Sequence, residues 1–156
     1  MTDASTWRRL GFLLTQLGTF ASARFAERVR DLGLVPSDAG VLRLLSRNPG
    51  MSQRDLAGRL GTVPSRVVVL IDSLEDRGLV ARTRSQNDRR NHELRLTDAG
   101  HATMGALRGI AEAHERELFA SLDDEERRLL QGILAKLAAG FGLDAEVHPG
   151  YSERGQ

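Results

Sequence analysis

Residues 52–97 read SQRDLAGRLGTVPSRVVVLIDSLEDRGLVARTRSQNDRRNHELRLT, and this stretch decides the fold. Ser52 followed three residues later by an acid is typical of a capped helix start, so a short helix is predicted over 53–60. Gly61 permits a sharp turn, and Pro64 suits the first turn of a second helix. One face of this second helix carries apolar side chains at helical spacing: Val67, Leu70, Ile71 and Leu74. Two short helices joined by a tight turn predict a helix-turn-helix.

A β-hairpin is predicted directly after the helix-turn-helix. Gly78 lies where a left-handed helix end is common. Residues 79–83 and 92–96 then read as two strands, and the second alternates apolar and polar side chains. The loop between them, 84–91, is entirely polar. The fold class expected is therefore mainly α with a small β wing.

Helices are expected on both sides of this central part. Apolar side chains recur at helical spacing over 7–31, where Gly33 and Pro36 end the helix. Ser37 is a candidate cap for the helix that follows. After the hairpin, Thr97 can cap a fifth helix, and Asp123 with Glu126 forms a capping box before a last one.

These elements predict a single domain covering 1–156. Within it, residues 37–97 form the winged helix-turn-helix lobe. The flanking helices, 7–33 and 98–142, carry wider apolar stripes than the small lobe can cover, so a homodimer built from them is predicted. Residues 143–156 are polar and aperiodic, and a flexible tail is predicted there.

The charge distribution of the chain is uneven. The net charge of +1 over 156 residues divides into +3 for 1–51, +3 for 52–97 and −5 for 98–156. A basic front with an acidic back indicates a polyanionic partner on the basic side. The chain has no cysteine, which excludes disulfides and thiolate metal sites. No apolar run is long enough to span a membrane and no secretory signal is recognisable, so a cytoplasmic protein is expected.

The arginines of the hairpin loop have two interpretations. Taken alone, Asp88, Arg89 and Arg90 could be a solvated tip. Next to a helix-turn-helix, a guanidinium at a hairpin tip can enter the minor groove, where narrow stretches concentrate negative potential. A neighbouring carboxylate such as Asp88 can hold the guanidinium in the right rotamer through a bidentate bond.

Residues 56–100, LAGRLGTVPSRVVVLIDSLEDRGLVARTRSQNDRRNHELRLTDAG, resemble the DNA-binding lobe of the MarR family of bacterial transcriptional regulators. The resemblance is carried by LIDSLEDRGLV, by the wing residues DRR and by the LRLTDAG that follows. It extends over roughly 7–142. It implies a homodimer on a palindromic duplex DNA site, more often as repressor than as activator, and release by a small aromatic or phenolic effector.

The resemblance assigns DNA-binding roles to a small set of residues: Ser65, Arg66, Val69, Arg89 and Arg90, with Asp88 positioning the wing arginine. The sequence departs from the family at Val68 and Val69, where many members have Thr and Arg. Valine can pack on a thymine methyl group but cannot form a fork to guanine or phosphate. The alternative is that one of these valines packs against protein and never meets DNA.

The effector pocket that the resemblance implies lies between the dimerisation helices and the winged lobe. Trp7, Phe12 and Gln16 on the first helix are candidates to line it, although core packing explains Phe12 equally well. No cofactor or metal is expected, because the histidines have no ligand spacing on one helix face. No catalytic motif is present, and an enzyme is not expected. Three alternatives stay open: a metal-responsive regulator, a constitutive regulator, and a winged-helix protein-interaction module without DNA binding.

Overall fold

The chain folds into six helices and a small antiparallel sheet in a computed structural model, which describes residues 4–85, 92–148 and 151. The elements follow in the order α1 (Ala4–Arg30), α2 (Pro36–Arg47), β1 (Met51–Ser52), α3 (Gln53–Leu60), α4 (Pro64–Asp76), β2 (Val80–Arg84), β3 (His92–Leu96), α5 (Asp98–Leu118) and α6 (Asp124–Gly140). The mainly helical class with a β wing is confirmed. No helix in the described part is long and apolar enough to cross a membrane.

The helix boundaries follow from capping side chains. Ser52 accepts a hydrogen bond from the backbone N–H of Asp55, as the capping prediction for α3 required. Thr97 caps α5 and Asp123 caps α6 in the same way. The expected cap at Ser37 is wrong. Pro36 is already the first residue of α2, and the Asp38 carboxylate accepts a hydrogen bond from the N–H of Val35.

The sheet has three strands, in the order β1-β3-β2, and not the two that were predicted. The short strand β1 pairs Met51 with Leu94, and β2 pairs with β3 from Val80–Leu96 to Arg84–His92. β1 has only two residues, which is too short to show the alternation of a strand, so it was not predictable from the sequence pattern. Pairing of β1 with β3 joins the wing to the start of the helix-turn-helix.

The core lies where α2, α3, α4 and the sheet meet. Its fully buried side chains come from each of these elements, with Val29 added from the end of α1. The outer helices contribute less: no residue of α6 is buried, and residues 9–20 of α1 are exposed. The apolar side chains that they expose are Leu10, Phe12, Leu13, Leu14, Leu17 and Phe20 on α1, and Leu129, Ile133, Leu134, Leu137 and Phe141 on α6 or directly after it.

The segment after α6 folds back onto the lobe. A flexible tail was predicted for 143–156, but residues 144–148 and Tyr151 differ from that prediction. Glu146 pairs with arginines of α2 and α3, and Tyr151 is buried. The sequence did not reveal this packing because its partners lie about 90 to 115 residues away in the chain.

The first turn of α5 packs tightly against the chain at the end of α4. A Cβ added to Gly100 would lie 2.1 Å from the carbonyl oxygen of Leu79 and 3.3 Å from the Cβ of Leu96. The N–H of Thr97 donates to that same carbonyl at 3.1 Å. Residue 100 must therefore lack a side chain if α5 is to start where it does.

Replacing Gly100 by alanine should destabilise the protein by about 1–3 kcal/mol, because a backbone carbonyl would have to move. Urea unfolding of the purified variant measures this loss. Gly105→Ala is the matched control in the same helix, since nothing lies within 4 Å of its Cβ position. It should be neutral or stabilising by up to about 1 kcal/mol. Equal stability of the two variants would contradict the close approach.

Candidate nucleic-acid interface and adjoining cavity

The helix-turn-helix is set by one buried face on each of its helices. Leu56 and Leu60 of α3 are buried, and Gly61 turns the chain with φ 63°. Pro64 then begins α4, where its missing N–H has no cost. Val67, Ile71 and Leu74 of α4 are all fully buried. The opposite face of α4 must therefore point away from the core.

That outward face begins in the first turn of α4. Ser65 and Arg66 are exposed, and Arg66 forms no hydrogen bond or ion pair with any described residue. Val69 is 68% exposed and Val68 is 39% exposed. Among the described residues, the start of the helix thus presents a guanidinium without a polar partner and a largely exposed apolar side chain, Val69. Both can contact the edges of bases.

Two acidic side chains further along α4 share one arginine of the wing, which partly offsets their negative charge. The Arg82 guanidinium of β2 binds the carboxylates of Asp72 and Glu75. Its Nε also donates to Gln53 Oε1 of α3 at 2.6 Å. Burial opposes the charge on Arg82, but these hydrogen bonds and ion pairs outweigh it and raise the pKa of the guanidinium. Arg82 therefore ties the wing to both helices and removes negative charge from the presented helix.

A second arginine fixes the other end of α4. Arg77, from the LEDRG motif, donates from Nη1 to Asp38 Oδ2 at 3.0 Å and from Nη2 to the carbonyl of Gly33 at 2.6 Å. Asp38 is buried and also accepts from the N–H of Val35. Because a buried carboxylate needs such partners, the end of α4 is locked to the start of α2.

The wing strands end on the pair Arg84 and His92. The residues to which groove and phosphate contacts were assigned, Asp88, Arg89 and Arg90, lie outside the described residues. Their roles stay predictions.

A cavity of about 610 Å³ lies beside this lobe, between α1, α2, α5 and the segment after α6. Apolar side chains supply most of its wall, among them Phe25, Leu44, Met104 and Leu107. Arg108 also lines it and is exposed, without a hydrogen bond or ion pair to any described residue. Neither Phe12, which is 63% exposed, nor Gln16 lines this cavity, and the Trp7 side chain lies outside the description.

A buried histidine, His114, lies in the cavity wall, and the sequence did not single it out as a site residue. His114 is 8% exposed, and its Nδ1 has no hydrogen-bond partner among the described residues. Its ring centroid lies 5.5 Å from that of Phe25. Burial, together with the positive charge of Arg28, lowers the pKa of His114, so its ring is neutral at pH 7. An apolar cavity with a guanidinium at its wall is suited to a small aromatic anion.

The hairpin of β2 and β3 follows two short helices, the second with its outer face exposed, and this order defines a winged helix-turn-helix protein. Residues 32–91 match the model of the MarR family. The transcriptional repressor CouR, solved bound to a 23-mer DNA duplex, is 36% identical, with a TM-score of 0.75 over 88% of this chain and 98% of CouR. The chain belongs to the MarR family, whose members are DNA-binding transcriptional regulators and not enzymes.

Two further relatives are similar over most of their length. The Mycobacterium tuberculosis MarR family protein Rv2887, solved in complex with salicylic acid, is 30% identical, with a TM-score of 0.66 over 82% of this chain and 95% of that one. The transcriptional repressor MdtR of Bacillus subtilis is 31% identical over 118 residues, which are 76% of each chain.

Proposed function

We propose that this protein is a repressor that binds a palindromic site on duplex DNA as a homodimer. A small aromatic acid bound in the cavity then lowers its affinity for DNA. The observation that carries the DNA-binding part is the outer face of the first two turns of α4. There Arg66 is exposed and forms no polar contact with any described residue, and Val69 is exposed beside the buried Val67.

The first turn of α4 would enter the major groove. Arg66 supplies a fork that matches the acceptors of guanine, and Val69 supplies a surface that matches the methyl group of thymine. Arg90 would reach the adjoining minor groove, with Asp88 holding its rotamer and Arg89 on a phosphate. Ser65, at the start of the helix, would donate to a phosphate. Similarity to CouR, a repressor solved on DNA, supports this placement.

Arg66→Ala should relax sequence preference as well as affinity, and Arg90→Ala should weaken binding at least ~10-fold, because a good groove contact contributes about 1–3 kcal/mol. The site would be selected from a random pool of duplex DNA with the wild type. Affinities of the variants would then be measured at two salt concentrations. Arg116→Ala, an exposed arginine of α5, is the charge-matched control and should bind like the wild type.

Three outcomes would count against this assignment. If no sequence is enriched, the lobe serves a protein-interaction role and not DNA. Unchanged affinity of Arg90→Ala would refute the wing contact. A loss at Arg66→Ala that is uniform over all sequences, with a smaller salt slope, would make Arg66 a phosphate contact instead.

The dimer is supported by the uncovered faces of α1 and α6. α6 has 17 residues and buries none of them. Since most of the stability of a helix in a protein comes from packing its apolar face, α6 needs a partner for that face. Its apolar stripe and that of α1 need a cover, and a second copy offers the same two stripes. A symmetric dimer would also place two α4 helices on one face of DNA, about one helical turn apart.

Leu137→Glu should convert the dimer to a monomer, because it places a charge in the centre of the apolar face of α6. Sedimentation velocity at micromolar concentration measures the change. Gln131→Glu adds the same charge on the same helix at an exposed polar position and should leave the dimer intact. A wild-type monomer at this concentration, or a dimer unaffected by Leu137→Glu, would refute the interface.

The effector part is supported by the cavity and by the solved complex of Rv2887 with salicylic acid. A carboxylate would pair with Arg108 at the wall, and the ring would lie on the apolar side chains. A ligand there contacts helices of both the lobe and the outer part, so it can favour one spacing of the two lobes. Its effect on DNA binding is limited to its differential affinity for the two spacings.

Millimolar salicylate should release the protein from its selected DNA site, as measured by fluorescence anisotropy of labelled duplex. Arg108→Ala should reduce this response, because the carboxylate would lose its charged partner. Arg116→Ala, about two turns further along α5, should respond normally. DNA binding that is insensitive to salicylate in the wild type would contradict this effector class.

A further inference from the structure

The cavity already holds an aromatic side chain that belongs to this chain. Tyr151 is 5% exposed and lines the cavity, and its hydroxyl donates a hydrogen bond to the carbonyl oxygen of Ser37. Its phenol lies on the face of α2 at Gly40. A Cβ added to Gly40 would lie 2.1 Å from the phenol oxygen and 3.1 Å from Cζ. The space that the phenol fills exists because residue 40 has no side chain.

The contacts of this phenol define the chemistry that the space accepts. Burial, together with the nearby Asp38 carboxylate, raises the pKa of Tyr151 to about 12, so the phenol is a neutral donor at pH 7. A backbone carbonyl accepts hydrogen bonds and repels anions. The space is therefore matched to a flat ring carrying one neutral hydroxyl, and not to a carboxylate.

Apolar contacts and exposed ion pairs both hold the segment that carries Tyr151 against the lobe: Tyr151 belongs to the core cluster, and Val147 packs partly buried against it. Glu146 pairs with Arg47 at 2.6 Å and with Arg59 at 3.0 Å, and its backbone oxygen accepts from Arg43. These arginines lower the pKa of Glu146, so the pairs persist at pH 7. Exposed ion pairs are screened by water and salt and stabilise little. The apolar contacts of Tyr151 and Val147 are therefore the main hold on the segment, and a free ring in place of the phenol would replace those of Tyr151.

We propose that Tyr151 occupies a phenol subsite, formed by the Ser37 carbonyl and the bare face of α2 at Gly40, and that a small neutral phenol can displace it. This inference rests on the effector cavity of the proposed function. The phenolic ligand class is already implied by the family resemblance, and what the inference adds is a competitor for it within the chain. A tethered occupant has a high effective concentration. With Tyr151 as competitor, the apparent affinity of a free phenol equals its intrinsic affinity multiplied by the fraction of molecules in which the subsite is vacant.

The test is a calorimetric titration of 4-methylphenol, which reproduces the tyrosine side chain from Cβ outwards, into the full-length protein. Tyr151→Gly should bind 4-methylphenol at least about 10-fold more tightly than the wild type, since the competitor is gone. Tyr151→Phe retains the ring in the subsite and should fall between the two. Tyr151→Gly binding no tighter than the wild type would overturn the proposal.

A second substitution locates the gain. Gly40→Ala in the Tyr151→Gly protein places a methyl group where the phenol would lie and should abolish the gain. Gly105→Ala in the same background should keep it, because its Cβ position meets nothing within 4 Å. Thermal unfolding of each variant without ligand shows that it is folded. A gain that survives Gly40→Ala would place the phenol elsewhere and refute the subsite.

The same proteins separate this inference from the proposed function. If salicylate never releases DNA, but 4-methylphenol binds Tyr151→Gly in a manner that depends on Gly40, the aromatic-acid effector fails and the subsite stands. If salicylate releases DNA and 4-methylphenol does not bind Tyr151→Gly, the effector stands and the subsite fails.

Discussion

Burial of Val67, Ile71 and Leu74 on one face of α4 is the constraint on which the rest of the structure depends. All three are fully buried against the core, so the rotation of α4 about its axis is fixed. That rotation exposes Arg66 and Val69 on the other side. Because the three anchors lie at positions i, i+4 and i+7, no other rotation would bury them together. The presented surface is thus a consequence of the core.

Two arginines, Arg77 and Arg82, add ion pairs to the apolar contacts that hold α4 in place. Arg77 joins the end of α4 to the buried carboxylate of Asp38, and Arg82 joins its middle to β2. Without these pairs, Asp72 and Glu75 would place negative charge on the helix that is proposed to approach DNA. Internal ion pairs therefore both hold the lobe together and shape its field.

The acidic C-terminal third has a similar internal role. Glu117 pairs with Arg24 and Arg28 of α1, and Glu146 pairs with Arg47 and Arg59 of α2 and α3. The charge split in the sequence therefore reflects contacts between the two ends of the chain as well as any external partner. In the same region, the return of the chain to α2 forms one wall of the cavity. The ion pairs of Glu146 therefore help both to stabilise the fold and to form the cavity in which the effector is proposed to bind.

The sequence by itself determined the local structure: the helix-turn-helix, the two hairpin strands to within one residue, and the caps at Ser52, Thr97 and Asp123. Capping and period are short-range effects, and residues a few positions apart encode them. Arg66 and Val69 were singled out by the family resemblance, which left open whether Val68 or Val69 packs against protein. Even so, the cap at Ser37 was misplaced. The carboxylate of Asp38 and the ring of Pro36 make Val35, two residues earlier, the N-cap of α2.

Only the tertiary structure decided the third strand, the partners of Arg77 and Arg82, and the cavity with His114 and Tyr151. Each depends on side chains far apart in the chain, and a single sequence carries no signal of which distant groups meet. The packing of Tyr151 over Gly40 joins residues 111 positions apart. The sequence after α6 is polar and aperiodic, yet Glu146 and Tyr151 in its described part both bind the lobe.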